Sequence, residues 1–418
     1  MPRPTTLTVY WGQEIVGTVF DSSPLSFEYA SAWLTRLPPM PIAAIPLRTG
    51  RQDSAAIQAF FENLLPEGEL RRYLMEREKA SSLFSMLLAI VGDAAGAFVL
   101  LPEGEAPQAP TYEASTWKKL AAKLQKTNAA AINIKGKHAR ISLAGAQDKT
   151  SIALFDDGVP RLPQGTAPST HILKPNIQRL AKVWHSAANE TIVMLTAAHC
   201  GLPTAQVFYE PNTQACVVRR FDRVIRDDGL IDRLIQYDLC QLAGLSSEKK
   251  YEKEGGLSLS ACAQLIRNYS AAPALDLRHF LQWVFFNLYV GNNDSHAKNL
   301  SMLQHPERGM LLSPFYDLMC TRLYPGLSQE FAFAIDGETR PGAITHAHVT
   351  AMAKQLRMQP PFVTKLALDL AARLPDALNQ AVEEVAPHLP HGAHDLAKRL
   401  KQFVLTTTKK TAARLQSD

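Results

Sequence analysis

The stretch GNNDSHAKN, residues 291–299, says most about this chain. It follows residues 279–290 (HFLQWVFFNLYV), which are apolar on nearly every side of a helix and are therefore predicted to form a buried helix. Within the stretch, Asp294 precedes Asn299 by five positions. A second segment, SPFYD at residues 313–317, ends in another aspartate. Two carboxylates and one amide oxygen in this order predict a general base beside a Mg²⁺ site.

These three side chains follow the order that protein kinases use for phosphoryl transfer. By that pattern Asp294 is predicted to be the general base, and Asn299 and Asp317 are predicted to hold Mg²⁺. The alternative for Asp294 alone is an aspartate that caps a polar turn, but the other two residues in register favour catalysis. His296 could ligate a metal, although a lone loop histidine more often packs or hydrogen-bonds within its loop.

A lysine and a glutamate earlier in the chain fit the same pattern. Lys174 ends a short predicted strand at residues 171–174, and Glu190 lies sixteen positions later in a helix predicted at residues 186–200. In kinases a strand lysine contacts the nucleotide phosphates and pairs with a helix glutamate. For each residue taken alone, a surface charge is the alternative.

A loop of small residues is a candidate phosphate-binding element. It is SLAGAQDKT, residues 142–150, between two predicted strands. Small residues allow backbone N–H groups to approach phosphate oxygens. The loop lacks the second glycine of a Walker motif and does not match G-x-G-x-x-G, so a tight hairpin is the alternative.

The overall composition limits the class of protein. The chain has 418 residues, 46% hydrophobic and 20% charged, with a formal net charge of +5. This charge excludes a histone-like binder but allows contact with nucleic acid or an acidic partner. No apolar run reaches the ~18 residues that a membrane span needs. The beginning of the sequence shows no apolar signal-peptide core, so we expect a cytoplasmic protein without membrane contact.

Strand and helix patterns separate a β-rich part from a helical part. Alternation predicts a hairpin over residues 5–20, helical spacing predicts helices within 55–100, and the Pro- and Glu-rich residues 102–115 predict a linker. Strands are predicted between 139 and 220, whereas helices dominate from 236 onward. This order predicts an α+β fold. The predicted domains are residues 1–105, 106–235 and 236–418.

Taken together, the motifs resemble one family over nearly the whole chain, the HipA-like serine/threonine kinases. Members of that family are toxins of bacterial toxin–antitoxin pairs. The segments that carry the resemblance occur in the family's order, and they are ENLLPEGELRR (62–72), IVGDAAGA (90–97), ISLAGAQDKT (141–150), HILKPN (171–176), the helix with Asn189-Glu190, RRFDR (219–223), QYDLCQLAGLSSEKKYEKEGG (236–256), GNNDSHAKN (291–299) and SPFYD (313–317).

The resemblance implies a two-lobed, protein-kinase-like fold with an added N-terminal subdomain, a β-rich N-lobe and an all-helical C-lobe. It implies ATP and Mg²⁺ as cofactors. Asp294 would be the base, Asn299 and Asp317 would hold the metal, and Ser142 would be a site of inhibitory autophosphorylation. The residues implied at the nucleotide are Lys174, Glu190, His296, Lys298 and the phosphate loop Leu143, Ala144, Gly145, Ala146, Gln147 and Lys149.

The same resemblance implies two kinds of partner. One is a protein substrate, with aminoacyl-tRNA synthetases as the notable class in the family. The other is a small helix-turn-helix antitoxin that binds operator DNA. Two alternatives stay open: a small-molecule kinase with the same core, and a catalytically weak protein that acts mainly as a DNA-bound co-repressor with its antitoxin.

The chain also departs from ordinary protein kinases. Tyr316-Asp317-Leu318 replaces D-F-G, Asn293-Asp294 replaces R-D, and the sequence shows no A-P-E motif. We therefore expect no control by an ordinary activation loop.

Overall fold

The computed structural model describes residues 4–67, 71–72, 75–76, 80–90, 92–126, 149–178, 180 and 182–416. The chain divides into two compact units. The first unit is Met1–Leu173 with Arg220–Glu248, and the second is Lys174–Arg219 with Lys249–Asp418. The domain boundaries predicted near residues 105 and 235 stay predictions.

The described residues form the following strands and helices. The strands are β1 Thr6–Trp11, β2 Glu14–Phe20, β3 Ser26–Tyr29, β4 Gln52–Asp53, β5 Phe98–Pro102, β6 Thr111–Ala114, β7 Thr150–Ile152, β8 Arg161–Gln164, β9 His171–Lys174, β10 Val207–Glu210, β11 Ala215–Arg219, β12 Arg223–Ile225, β13 Ile231–Arg233, β14 Gln236–Asp238, β15 Ser301–His305 and β16 Gly309–Leu312. The helices are α1 Ser31–Leu34, α2 Ala55–Asn63, α3 Leu83–Ile90, α4 Trp117–Lys126, α5 Ser186–His199, α6 Leu239–Ala243, α7 Leu259–Tyr269, α8 Pro273–Val290, α9 His346–Gln355, α10 Pro360–Val385 and α11 His391–Gln416.

The first unit begins with an antiparallel sheet of order β4-β3-β2-β1-β5. The hairpin predicted over residues 5–20 is present, with Thr6 opposite Phe20. Leu7 and Val9 are buried on one face of the sheet, as their alternation predicts. β5, which pairs with β1, follows the glycines that end the predicted helical segment. One prediction changes in this unit: the predicted linker contains β6, which pairs with β8.

Three residues of the RRFDR segment, Arg220, Asp222 and Arg223, belong to a buried network of ion pairs in the first unit. The carboxylate of Asp93 contacts Arg220 Nη1 at 2.9 Å, Arg223 Nη2 at 2.8 Å and Arg233 Nη2 at 3.1 Å. Asp222 Oδ2 lies 2.8 Å from both Arg220 Nη2 and Arg223 Nη1. Burial alone would raise the pKa of Asp93, but the three arginines outweigh it and hold that pKa well below its usual range. The network therefore joins two distant parts of the chain through charge.

The second unit is built around α8. Its large apolar residues, among them Trp283, Phe285 and Phe286, are fully buried, which confirms the predicted buried helix. α7, α10 and α11 all pack against α8, so α8 is enclosed by helices. Across the described residues, no helix is both long and apolar enough to span a membrane.

The prediction of an all-helical C-lobe is wrong, because the C-terminal part also contains two strands. β15 and β16 form an antiparallel hairpin, with Met302 opposite Leu312. Met302 is buried, while Leu303 and Gln304 are only partly covered, so the hairpin shows a weak inside-outside pattern. A five-residue and a four-residue strand are too short for sequence periodicity to reveal reliably. The hairpin places Asp317 a few residues after β16.

Candidate active site

Three predicted site residues meet in the second unit. Lys174 Nζ lies 2.5 Å from Glu190 Oε1 and 2.7 Å from Asp317 Oδ1. The side chains of Lys174 and Glu190 are 8% and 2% exposed, whereas that of Asp317 is 43% exposed. Burial alone would lower the pKa of Lys174, but the two carboxylates raise it above its usual range. The lysine is therefore a buried, fixed positive charge next to an accessible carboxylate.

The backbone holds Asp317 in an uncommon conformation. Its φ is +60°, in the left-handed region that non-glycine residues rarely adopt. Phe315, two positions before Asp317, is anchored through its backbone, because its N–H donates to Pro203 O at 2.7 Å and its carbonyl accepts from Ala205 N–H at 2.9 Å. Such conformations occur where the surroundings determine them, and they concentrate at functional sites.

Residues 291–299, the predicted catalytic loop, start where α8 ends. Gly291 has φ +72°, and a Cβ on it would lie 2.7 Å from Phe403 Cε1, so this turn requires glycine. Thr321 braces the loop: its Oγ1 accepts from the N–H of Asn293 at 2.8 Å and donates to Gly291 O at 3.3 Å. The loop is thus positioned by a helix end and by the segment after Asp317.

Asp294, the predicted base, is exposed at the tip of this loop. The hydroxyl of Tyr251 donates a hydrogen bond to Asp294 Oδ1. Asn299 is buried, and its Nδ2 donates to Asp294 O at 3.1 Å. This orientation turns the Asn299 Oδ1 away from that bond, so the amide oxygen is the atom that can ligate a metal.

One contact links the loop to the Asp317 segment. Tyr316 OH donates to Lys298 O at 2.8 Å and lies 2.8 Å from Ser301 Oγ. The two predicted Mg²⁺ ligands, Asn299 and Asp317, therefore belong to segments that are hydrogen-bonded to each other. Both supply oxygen, and Mg²⁺ typically takes few protein oxygens and completes its shell with water and phosphate. The donor set fits Mg²⁺.

The remaining predicted site residues are placed as follows. His296 is buried, with its ring 5.1 Å from the Tyr251 ring in an edge-on contact, and Lys298 is also buried. Lys149 is partly exposed at the start of β7. The predicted phosphate-loop residues Leu143, Ala144, Gly145, Ala146 and Gln147, and the predicted modification site Ser142, lie outside the described residues.

Tyr251 and Thr321 were not predicted from the sequence. Tyr251 lies in the charged segment SSEKKYEKEGG, residues 246–256, where a single aromatic residue among lysines and glutamates was the only available signal. Thr321 gave no signal, because its two hydrogen bonds join it to residues about thirty positions earlier.

Known proteins resemble this chain along almost its full length. Residues 7–101 match the family model of the HipA N-terminal domain, and residues 141–385 match that of the HipA-like C-terminal domain. Putative kinase Y4mE of Sinorhizobium fredii is 34% identical over 420 residues, which cover 94% of this chain and 97% of that protein. The serine/threonine-protein kinase toxin HipA of Shewanella oneidensis is 29% identical over 429 residues, covering 96% of each chain.

A solved structure agrees with the sequence matches. It is the Shewanella oneidensis toxin–antitoxin complex of HipA, HipB and operator DNA, and it superposes with a TM-score of 0.84 at 27% identity over 98% of each chain.

Proposed function

This chain belongs to the HipA family, and we propose that it is an ATP-dependent serine/threonine protein kinase that acts as a growth-arresting toxin. The observation that carries the proposal is the contact of the buried Lys174 with both Glu190 and Asp317. Kinases use this arrangement to hold nucleotide phosphates and metal. The exposed Asp294 lies on a loop braced to the same unit.

In the proposed mechanism, Asp294 orients the attacking hydroxyl and accepts its proton. The Tyr251 hydroxyl, which donates to Asp294 Oδ1, occupies a place where a substrate serine or threonine hydroxyl could donate instead. Lys174 would hold the phosphates by charge, and Asn299 and Asp317 would hold Mg²⁺. When bound, Mg²⁺ would neutralise charge on the phosphates. His296 and Lys298 would support the nucleotide side of the loop.

Lys174→Met is expected to weaken both nucleotide binding and folding. Loss of a charge-assisted phosphate contact corresponds to roughly 1.5–3 kcal/mol of binding free energy. The variant also removes a cation from the buried Glu190, and removal of one partner of a buried pair typically costs about 3–5 kcal/mol of unfolding free energy. Calorimetry with Mg²⁺ and an ATP analogue, together with urea unfolding, measures both effects.

The double variant Lys174→Met/Glu190→Gln separates these two effects. It removes both buried charges, so much of the stability should return while nucleotide affinity stays low. Wild-type affinity in the double variant would place Lys174 outside the nucleotide site.

Ser142 is expected to be phosphorylated by the protein itself, with loss of activity. It directly precedes the proposed phosphate loop, residues 143–149. A phosphate there adds about −1.5 to −2 charges at neutral pH and would repel the bound nucleotide. Peptide mass analysis after incubation with Mg²⁺ and ATP measures this, with Ser142→Ala and Asp294→Asn as controls. Full activity in a fully phosphorylated sample, or an unmodified Ser142, would count against the proposal.

The proposed partners follow from the family. They are a small helix-turn-helix antitoxin, through it operator DNA, and a protein substrate such as an aminoacyl-tRNA synthetase, all in the cytoplasm. A co-repressor role without catalysis is the second candidate, because the solved relative is bound to antitoxin and operator DNA. Incubation with labelled ATP and cell lysate, followed by identification of phosphorylated proteins, distinguishes these functions: labelling that requires Asp294 supports the kinase.

A further inference from the structure

The second unit contains a cavity of about 470 Å³ between α11, the segment that follows Asp317, and the loop before α9. Four cationic side chains line it, and none of the lining residues is acidic. The cations are Arg322, Arg399, Lys410 and Arg414. Among the described residues, none of the four forms an ion pair, whereas the buried arginines of the first unit all contact carboxylates. Like charges gathered in a concave site attract an anion.

Two of these cations are partly withdrawn from water. Arg322 Nε is buried, and no hydrogen-bond partner for it exists among the described residues. Burial lowers the pKa of Arg322 and Arg414, and the charge of Arg414 lowers that of Arg322 further. A buried, unsatisfied donor beside a second guanidinium is costly in free energy. A bound anion would relieve the repulsion between the two guanidinium groups.

Two of the four cations, Arg322 and Arg414, are held in place by contacts within the protein. Arg414 donates to Ile344 O at 3.1 Å and to Pro341 O at 3.0 Å. The guanidinium of Arg322 lies 5.5 Å from the centre of the Phe403 ring, within range of a cation–π contact. A charged site that is fixed before binding loses less conformational entropy when a ligand arrives.

Hydroxyl groups complete the lining. Thr406, Thr407 and Thr411 lie along the α11 side of the cavity among the cations. Guanidinium, ammonium and hydroxyl donors together match the several acceptor oxygens and the charge of a phosphate group.

We propose that this cavity binds a phosphate monoester or free phosphate dianion, separately from the nucleotide site. The chemistry is the same whether the phosphate is inorganic or carried by a phosphoserine or phosphothreonine of a polypeptide. A duplex nucleic acid fits less well, because its phosphates need an extended surface, whereas these four cations face one cavity of about 470 Å³.

The cavity adjoins the proposed catalytic loop. The N–H of Arg322 donates to Gly291 O at 3.1 Å, and Phe403 is the side chain that a Cβ at Gly291 would meet. An anion that draws Arg322 inward would therefore act on the first residue of the loop. This consequence for activity rests on the proposed kinase function, whereas the binding site itself does not.

The test is calorimetric titration of the full chain with inorganic phosphate and with a phosphoserine peptide, at constant ionic strength. Lys410→Ala and Arg414→Met are the cavity variants. Lys409→Ala is the matched control, because Lys409 is exposed on the same helix but does not line the cavity. We expect saturable binding by wild type and control, and an affinity lower by about tenfold or more in each cavity variant, as for a lost charge-assisted hydrogen bond.

The outcomes separate the sources of the anion. If the phosphopeptide binds more tightly than both its unphosphorylated form and inorganic phosphate, the natural ligand is a phosphate group carried by a protein. If inorganic phosphate binds as tightly or more tightly, the natural ligand is a free anion. Both results support the proposal. Equal affinity in wild type and both cavity variants would overturn it. Absence of saturable phosphate binding by wild type would also overturn it, and loss of duplex DNA binding in the cavity variants would then assign these cations to nucleic acid instead.

Discussion

Asp294→Asn and Asp317→Asn are expected to lose phosphoryl transfer by about 10²–10⁴-fold while remaining folded. Asp294 is exposed, so its amide analogue is solvated without a burial cost. The side chain of Asp317 is 43% exposed, and Lys174 keeps its contact with Glu190 when Asp317 is neutralised. Initial rates with Mg²⁺ and ATP, compared with the unfolding curves of the same preparations, give the result.

Asp336→Asn is the matched control for Asp317→Asn. Asp336 is an exposed aspartate of the same unit, and its φ of +52° is close to the +60° of Asp317. If replacing aspartate by asparagine in a left-handed conformation lowers the rate in general, both variants should be slower. If the rate falls because a metal ligand is lost, only Asp317→Asn should be slower. Near-wild-type rates in both Asp294→Asn and Asp317→Asn would show that these residues are not the active site.

Asp93→Ala is expected to have the largest effect on stability. It leaves Arg220, Arg223 and Arg233 without their shared carboxylate in a buried site, and breaking such a pair from one side typically costs about 3–5 kcal/mol. Urea unfolding of the full chain measures the loss. Asp157→Ala is the control, because it removes an exposed ion pair of the same unit, which should contribute little.

The contribution of Asp93 should also depend on pH. Its pKa is lower in the folded chain than in the unfolded chain, so its stabilising effect is complete above the unfolded value of about 3.9 and is lost as the pH falls toward the folded pKa. The difference in unfolding free energy between wild type and Asp93→Asn should therefore narrow below about pH 4. A difference that stays constant through this range would mean that the ion pairs of Asp93 do not stabilise the fold.

Local pattern predicted the elements that carry the site. The strand predicted at residues 171–174 and the helix predicted at 186–200 are found as β9 and α5, and Pro175 follows the strand end as expected. The pairing of Lys174 with Glu190 followed from their types and spacing. The family and the enzyme class are confirmed by the sequence matches along nearly the whole chain.

Long-range contacts could not be predicted in the same way. Asp93 meets Arg220 across 127 positions, and no local pattern selects one aspartate as the partner of three arginines. The Tyr251 contact with Asp294 spans 43 positions. The hairpin of β15 and β16 was missed for another reason, since its strands are short and only partly buried. These features depend on which segments the fold brings together.

We propose that this chain transfers a phosphoryl group from ATP to hydroxyl groups of proteins, with Asp294 as the base. The most direct measurement is incubation of the purified chain with labelled ATP, Mg²⁺ and cell lysate, followed by phosphoamino-acid analysis of the labelled proteins. Wild type should produce phosphoserine or phosphothreonine in proteins other than itself, and Asp294→Asn should produce none above background. Labelling at the same level by both proteins, or by neither, would contradict the claim.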